Sequence, residues 1–164
     1  SIVYPSRWLK RMNKEIFKGG SKVTDAFGYF PTFHDAEVIW VTLNRNSSPG
    51  VEWPVPTLEF LLHGWEMTSE VNEKGFYVLT KHHLVHFKFS GIDHMNLQHF
   101  NHQNAIFELS ITEIEKPTDH AKLEVQISHA HGLNGAFRAV SGEVLSVTPC
   151  DADGFPTQSA NQSE

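Results

Sequence analysis

The chain has 164 residues, enough for one domain that buries roughly two thirds of its extended surface without needing a disulfide or structural metal. Its 19 acids against 13 bases leave a formal charge of −6, which opposes a general phosphate- or nucleic-acid-binding role. No stretch reaches the roughly 18 uninterrupted apolar residues of a membrane span, and one cysteine, Cys150, rules out an internal disulfide; with no apolar leader at the N-terminus, a cytoplasmic setting is expected.

In chain order, segment 6–17 is predicted to be a helix: Pro5 suits an early helical position, Trp8, Met12 and Ile16 recur at fourfold spacing, and Gly19-Gly20 stops it. From about residue 27 the periodicity changes to two. A strand at 37–44 is apolar on both faces, which suggests a central or covered position, and ends at Asn46-Ser47-Ser48-Pro49-Gly50. The next strand, 57–67, alternates Leu58, Phe60 and Leu62 with Glu59, Leu61 and His63, while Pro54 and Pro56 stay outside any interior ladder. After the turn Asn72-Glu73-Lys74-Gly75, strands are expected at 76–80 and 83–90, followed by a connection from Ile92 to Asn104.

Three further strands complete the pattern: 105–114, with Phe107, Leu109 and Ile111 on one face; 121–130, with Leu123, Val125 and Ile127 inward; and 136–148, with Gly142 as a bulge. The fold class is therefore α+β, mainly β, with about seven strands in a curved or sandwiched antiparallel sheet and one N-terminal helix. Residues 1–149 are expected to form a single domain, with the β-rich part over 27–148. Residues 150–164 are expected to form a flexible tail, because Phe155 is their one large apolar side chain.

The densest chemistry is Phe33-His34-Asp35-Ala36-Glu37-Val38, three ionisable side chains at the mouth of a strand. An unpaired buried ion there would cost several kcal/mol, so these groups must be paired, hydrogen-bonded or functional. Arg138 is one candidate ion-pair partner. Asn101-His102-Gln103-Asn104 concentrates amides before a strand, where they either satisfy a tight connection or contact a ligand. His129 and His131 share a strand face and, with His34, offer an alternative nitrogen ligand set for a metal. That His-x-His resembles the first metal motif of cupin barrels, but the glutamate that should follow is missing and the next acid is Glu143. His82, His83 and His86 cannot all converge from one strand. Cys150 follows Pro149 at the edge of the tail and reads as incidental.

Tyr29-Phe30-Pro31-Thr32-Phe33-His34-Asp35-Ala36-Glu37-Val38 resembles the aromatic-Pro-x-Phe-His-Asp-Ala-Glu-Val opening of immunity protein 50, a family of bacterial polymorphic toxin systems. Phe87-Lys88-Phe89-Ser90-Gly91-Ile92 and Phe100-Asn101-His102-Gln103-Asn104 are similar to that family's Phe-x-Gly-Val and Phe-Asn-x-Gln-Asn segments, with Ile92 in place of the usual Val. The likeness spans residues 27–148. It implies a non-catalytic protein, without cofactors, that binds and neutralises a cognate toxin, and a basic toxin would fit the acidic charge. On this reading His34, Asp35, Glu37, Asn101, Gln103 and Asn104 are the expected contact residues. Two other readings stand beside it: a small-ligand or metal-dependent β-barrel enzyme, and a structural partner that forms a homodimer through an open sheet edge.

Overall fold

A computed structural model describes residues 3–46 and 49–157. Ser47 and Ser48 of the expected turn at 46–50, and the part of the expected tail beyond 157, lie outside these residues. The chain is mainly β, with two sheets and one α-helix among the described residues. The nine strands are β1 (Phe17–Lys18), β2 (Glu37–Asn44), β3 (Thr57–Val71), β4 (Tyr77–Ser90), β5 (Asp93–Gln98), β6 (Ile106–Glu113), β7 (Leu123–His129), β8 (Asn134–Ala139) and β9 (Ser141–Pro149). One sheet runs β1-β9-β4-β3-β2 and the other β5-β8-β7-β6.

The expected count of seven strands is corrected to nine. The two strands expected at 76–80 and 83–90 are one continuous β4, the one expected at 136–148 breaks between Ala139 and Ser141 into β8 and β9, and β1 and β5 arise where none was expected. All pairings are antiparallel except β1 with β9. Strand β2 is an edge strand rather than a covered one. A register shift between Val38 and Trp40 turns Ile39 toward solvent, so apolar side chains on both faces do not require burial on both faces.

The helix is also corrected. Residues 8–11 make only a 3-10 turn, Met12 is extended, and Asn13 folds the chain back: its Oδ1 accepts from Glu15 N at 2.9 Å and its carbonyl from Ile16 and Phe17 N. Asparagine competes in this way with helical hydrogen bonding. The fourfold spacing still picks out the core-facing residues, since Met12 is buried and Trp8 and Ile16 pack against the core. The α-helix, α1, is Gly20–Phe27, bounded by left-handed Gly19 (φ 76°) and Gly28 (φ 86°), whose N–H donates to Thr24 O at 2.8 Å. It buries Val23 and Phe27.

Leu58, Phe60 and Leu62 of β3, Val85, Phe87 and Phe89 of β4, and Val144 of β9 meet Leu109, Ile111, Leu123, Val125, Ile127 and Phe137 in one core cluster. Phe89 contacts Phe137 across the sheets, ring centroids 5.2 Å apart. Gly142 is not a bulge: it pairs with Phe17 and Phe89, and the ladder shift falls instead between His86 and Phe87. A Cβ on Gly142 would lie 2.6 Å from the Phe89 ring and 3.0 Å from that of Phe17. Gly142→Ala should therefore cost about 1–3 kcal/mol through overpacking, read as a lower urea midpoint. An unchanged midpoint would show that both rings move aside.

Candidate functional site

The segment 33–37 alternates burial and exposure over a short distance. Phe33 is 3% exposed and meets Phe27, Phe30 and Phe87 edge-on, with centroids 5.7–6.0 Å apart. Phe33 (φ 59°) and Asp35 (φ 67°) are left-handed, which bends the chain so that Phe33 and Ala36 point inward while His34 and Asp35 face out. The backbone is pinned to β6: Asp35 N donates to Ile106 O, and Ile106 N to Ala36 O, each at 2.9 Å.

Glu37 and Asn104 turn out to be linked. Glu37 Oε1 accepts the Asn104 backbone N–H, and Val38 N donates to Asn104 O at 3.0 Å. The Asn104 side chain is 2% exposed and its carboxamide is filled: Oδ1 accepts from Asn101 N (2.9 Å) and Leu133 N (3.1 Å), and Nδ2 donates to Asn101 O (2.7 Å) and Val38 O (3.4 Å). These bonds tie the edge of one sheet to two loops of the other. Gly132 presses on the same spot with φ 73°, where a Cβ would lie 2.2 Å from Gln103 O.

His34 and Asp35 remain open. The His34 ring lies between Tyr4 and Phe107, centroids 5.1 and 5.0 Å away, and its Nδ1 hydrogen-bonds Phe107 O at 2.9 Å. Its Nε2 is 3.6 Å from Asp35 Oδ2, too long for a hydrogen bond. Asn101 is exposed but occupied locally, accepting from Gln103 N and donating to His99 O; Gln103 is exposed. Arg138 pairs with neither Asp35 nor Glu37. Its Nε lies 3.9 Å from Glu124 on the adjacent strand, which corrects the expected ion pair.

Among the described residues no three His, Cys, Asp or Glu side chains are grouped to hold a metal ion, so the structure does not bring His129, His131 and His34 together. His129 and His131 are exposed, and the backbone of His131 donates to Ala105 O. The other histidines are dispersed: His86 bonds Glu59 at 2.8 Å, His83 bonds Lys81 O, and His82 Nδ1 meets His63 Nε2 at 3.0 Å.

Sequence reasoning missed a small cleft of about 20 Å³ beside Asp35, whose lining includes Tyr4, Tyr29, Trp65 and Glu66. Its walls come from the N-terminal segment, the 29–35 loop and β3, so no short motif marks it. Glu66 is 8% exposed, and Lys81 Nζ lies 2.8 Å from its Oε2. Burial, followed by the Glu66 carboxylate, pushes the Tyr29 hydroxyl above its ordinary pKa.

Residues 150–157, expected to be loose, close a turn. Asp151 Oδ1 accepts from Asp153 N and Phe155 N, Cys150 bridges to Pro156, and Gly154 lies against the His63 ring. Burial, then Asp151, pushes the Cys150 thiol up to about 11, so it stays protonated and weakly nucleophilic.

Asn104→Ala should cost about 2–4 kcal/mol by stranding buried backbone groups, whereas Gln103→Ala should stay within about 0.5 kcal/mol in the same denaturant titration. Both His63 and His82 lie below the ordinary 6.5, chiefly through burial; His82 adds to the lowering of His63, while Asp151 opposes it at both rings. The unfolded chain therefore binds protons that the folded chain refuses, and stability is lost as pH falls below 6.5. Hydrogen-exchange protection at 151–157, taken relative to the intrinsic rate at each pH, should fall between about pH 7 and pH 5, and His82→Gln should flatten that dependence.

No curated protein and no solved structure matches this chain. The family model described as immunity protein 50 matches residues 19–150, most of the chain and every element of both sheets except β1. The chain belongs to the immunity protein 50 family.

Proposed function

We propose that this chain binds and neutralises a toxin of a bacterial polymorphic toxin system by stoichiometric association in the cytoplasm, without catalysis or cofactor. The observation that carries the reading is the family match over residues 19–150. The geometry supports a division of labour within the motif. Glu37 and Asn104 fix the frame, while His34, Asp35, Asn101 and Gln103, with Tyr4 and Phe107 beside them, form the contact face. Residues 1–149 act as one unit in this reading.

Aromatic side chains on a hydrogen-bonded frame suit an interface, because little freedom is lost on binding. The net charge of −6 would speed encounter with a basic toxin. No observation favours the β-barrel enzyme, since the strands form two open sheets rather than a closed barrel.

Co-expression with the product of a neighbouring toxin gene should restore growth, and killing that is equal with and without this protein would refute the role. With the purified pair, Asp35→Asn should weaken binding by about 1 kcal/mol or more, roughly fivefold. Unchanged affinity in calorimetry would remove Asp35 from the contact face.

A further inference from the structure

The cleft beside Asp35 combines small size, aromatic walls and negative charge. Its volume of about 20 Å³ admits one group the size of a water molecule. Tyr4, Tyr29 and Trp65 line it, rings whose faces attract cations. Glu66 lines it as well and is 8% exposed. The Lys81 ammonium lies 2.8 Å from Glu66 Oε2 as its ion partner and donates to Phe27 O at 2.8 Å.

Lys81 offsets one carboxylate. Among the described residues, Asp35 has one charged neighbour, the His34 ring at 3.6 Å, and its side chain is 42% exposed. The cleft therefore keeps one uncompensated negative charge, and among the described residues no lysine or arginine lines it. An occupant carrying a single positive charge on a compact head completes both the charge balance and the packing. A guanidinium is planar and wider, and its fork needs more room than one water position offers.

We infer that this cleft receives the ammonium group of a lysine side chain presented by the toxin, held by Asp35 and the aromatic walls beside the buried Glu66 carboxylate. The source of the lysine rests on the immunity reading; the chemistry of the cleft does not.

The probe is Nα-acetyl-lysine N-methylamide, with its norleucine and arginine counterparts, titrated into the full chain and followed by the Trp65 indole and His34 amide NMR signals. The lysine amide should give saturable shifts with a dissociation constant of a few tens of millimolar, and the other two should bind at least tenfold more weakly. Asp35→Asn, which keeps a residue tolerant of a left-handed backbone, should weaken the response at least fivefold, and Asp153→Asn on the C-terminal turn should not. No saturable shift with the lysine amide, an equal response to norleucine, or an unaltered Asp35→Asn variant would each overturn the inference. If the lysine amide binds but co-expression shows no neutralisation, the immunity reading falls and the cleft chemistry stands. Neutralisation without a lysine response sinks the cleft alone.

Discussion

The structure depends on one buried amide. Asn104 satisfies backbone groups of three separate segments at once, around Val38, Asn101 and Leu133, and its own backbone engages Glu37 and Val38. A polar side chain that is 2% exposed is tolerated only when its hydrogen-bonding capacity is used, and here both oxygen and nitrogen are engaged twice. Because the partners belong to different sheets, the bonds set how the sheets meet. An apolar residue of similar size would pack there and leave the backbone groups of both loops stranded.

This junction explains why ionisable residues crowd a strand entrance without a high electrostatic cost. Glu37 points at a backbone N–H, while Asp35 is turned toward water by its left-handed backbone. Phe33, locked among three phenylalanine rings, holds the half-buried His34 and Asp35 in place from below. Gly64 allows this approach, because a Cβ there would lie 3.0 Å from the Phe33 ring. His34 and Asp35 thus rest on a rigid floor of packed rings.

Much of the sheet pattern was legible because period-two alternation is a local signal: Leu58, Phe60 and Leu62, or Leu123, Val125 and Ile127, fall on the core face as expected. What was not legible depended on competition or on distance. Trp8, Met12 and Ile16 have helical spacing, but Asn13 breaks the hydrogen bonds that a helix would need, so the right residues are buried on a different backbone. Strand β5, Asp-His-Met-Asn-Leu-Gln, carries only the brief alternation of Met95 and Leu97, too short to mark a strand, and its pairing with β8 comes from outside the segment. The motif at 33–38 stood out in the sequence, and so did the amides at 101–104. That Glu37 and Asn104 are one feature, and that Trp65 and Glu66 border Asp35, required chain segments distant in sequence to meet.

The parallel pairing of β1 with β9 sets an order on biosynthesis. Phe17 and Lys18 pair with Gly142 and Glu143, and β9 is also the strand that covers the free edge of β4. A nascent chain halted before residue 141 already carries the motif, the cleft and the β3–β4 hairpin, yet its N-terminal strand has no partner and the ladder edge of β4 is bare. Such an edge invites pairing with other chains. Contacts this distant in sequence also form slowly. A ribosome must therefore deliver β9 before any copy can be complete, which places a delay between translation and a finished fold.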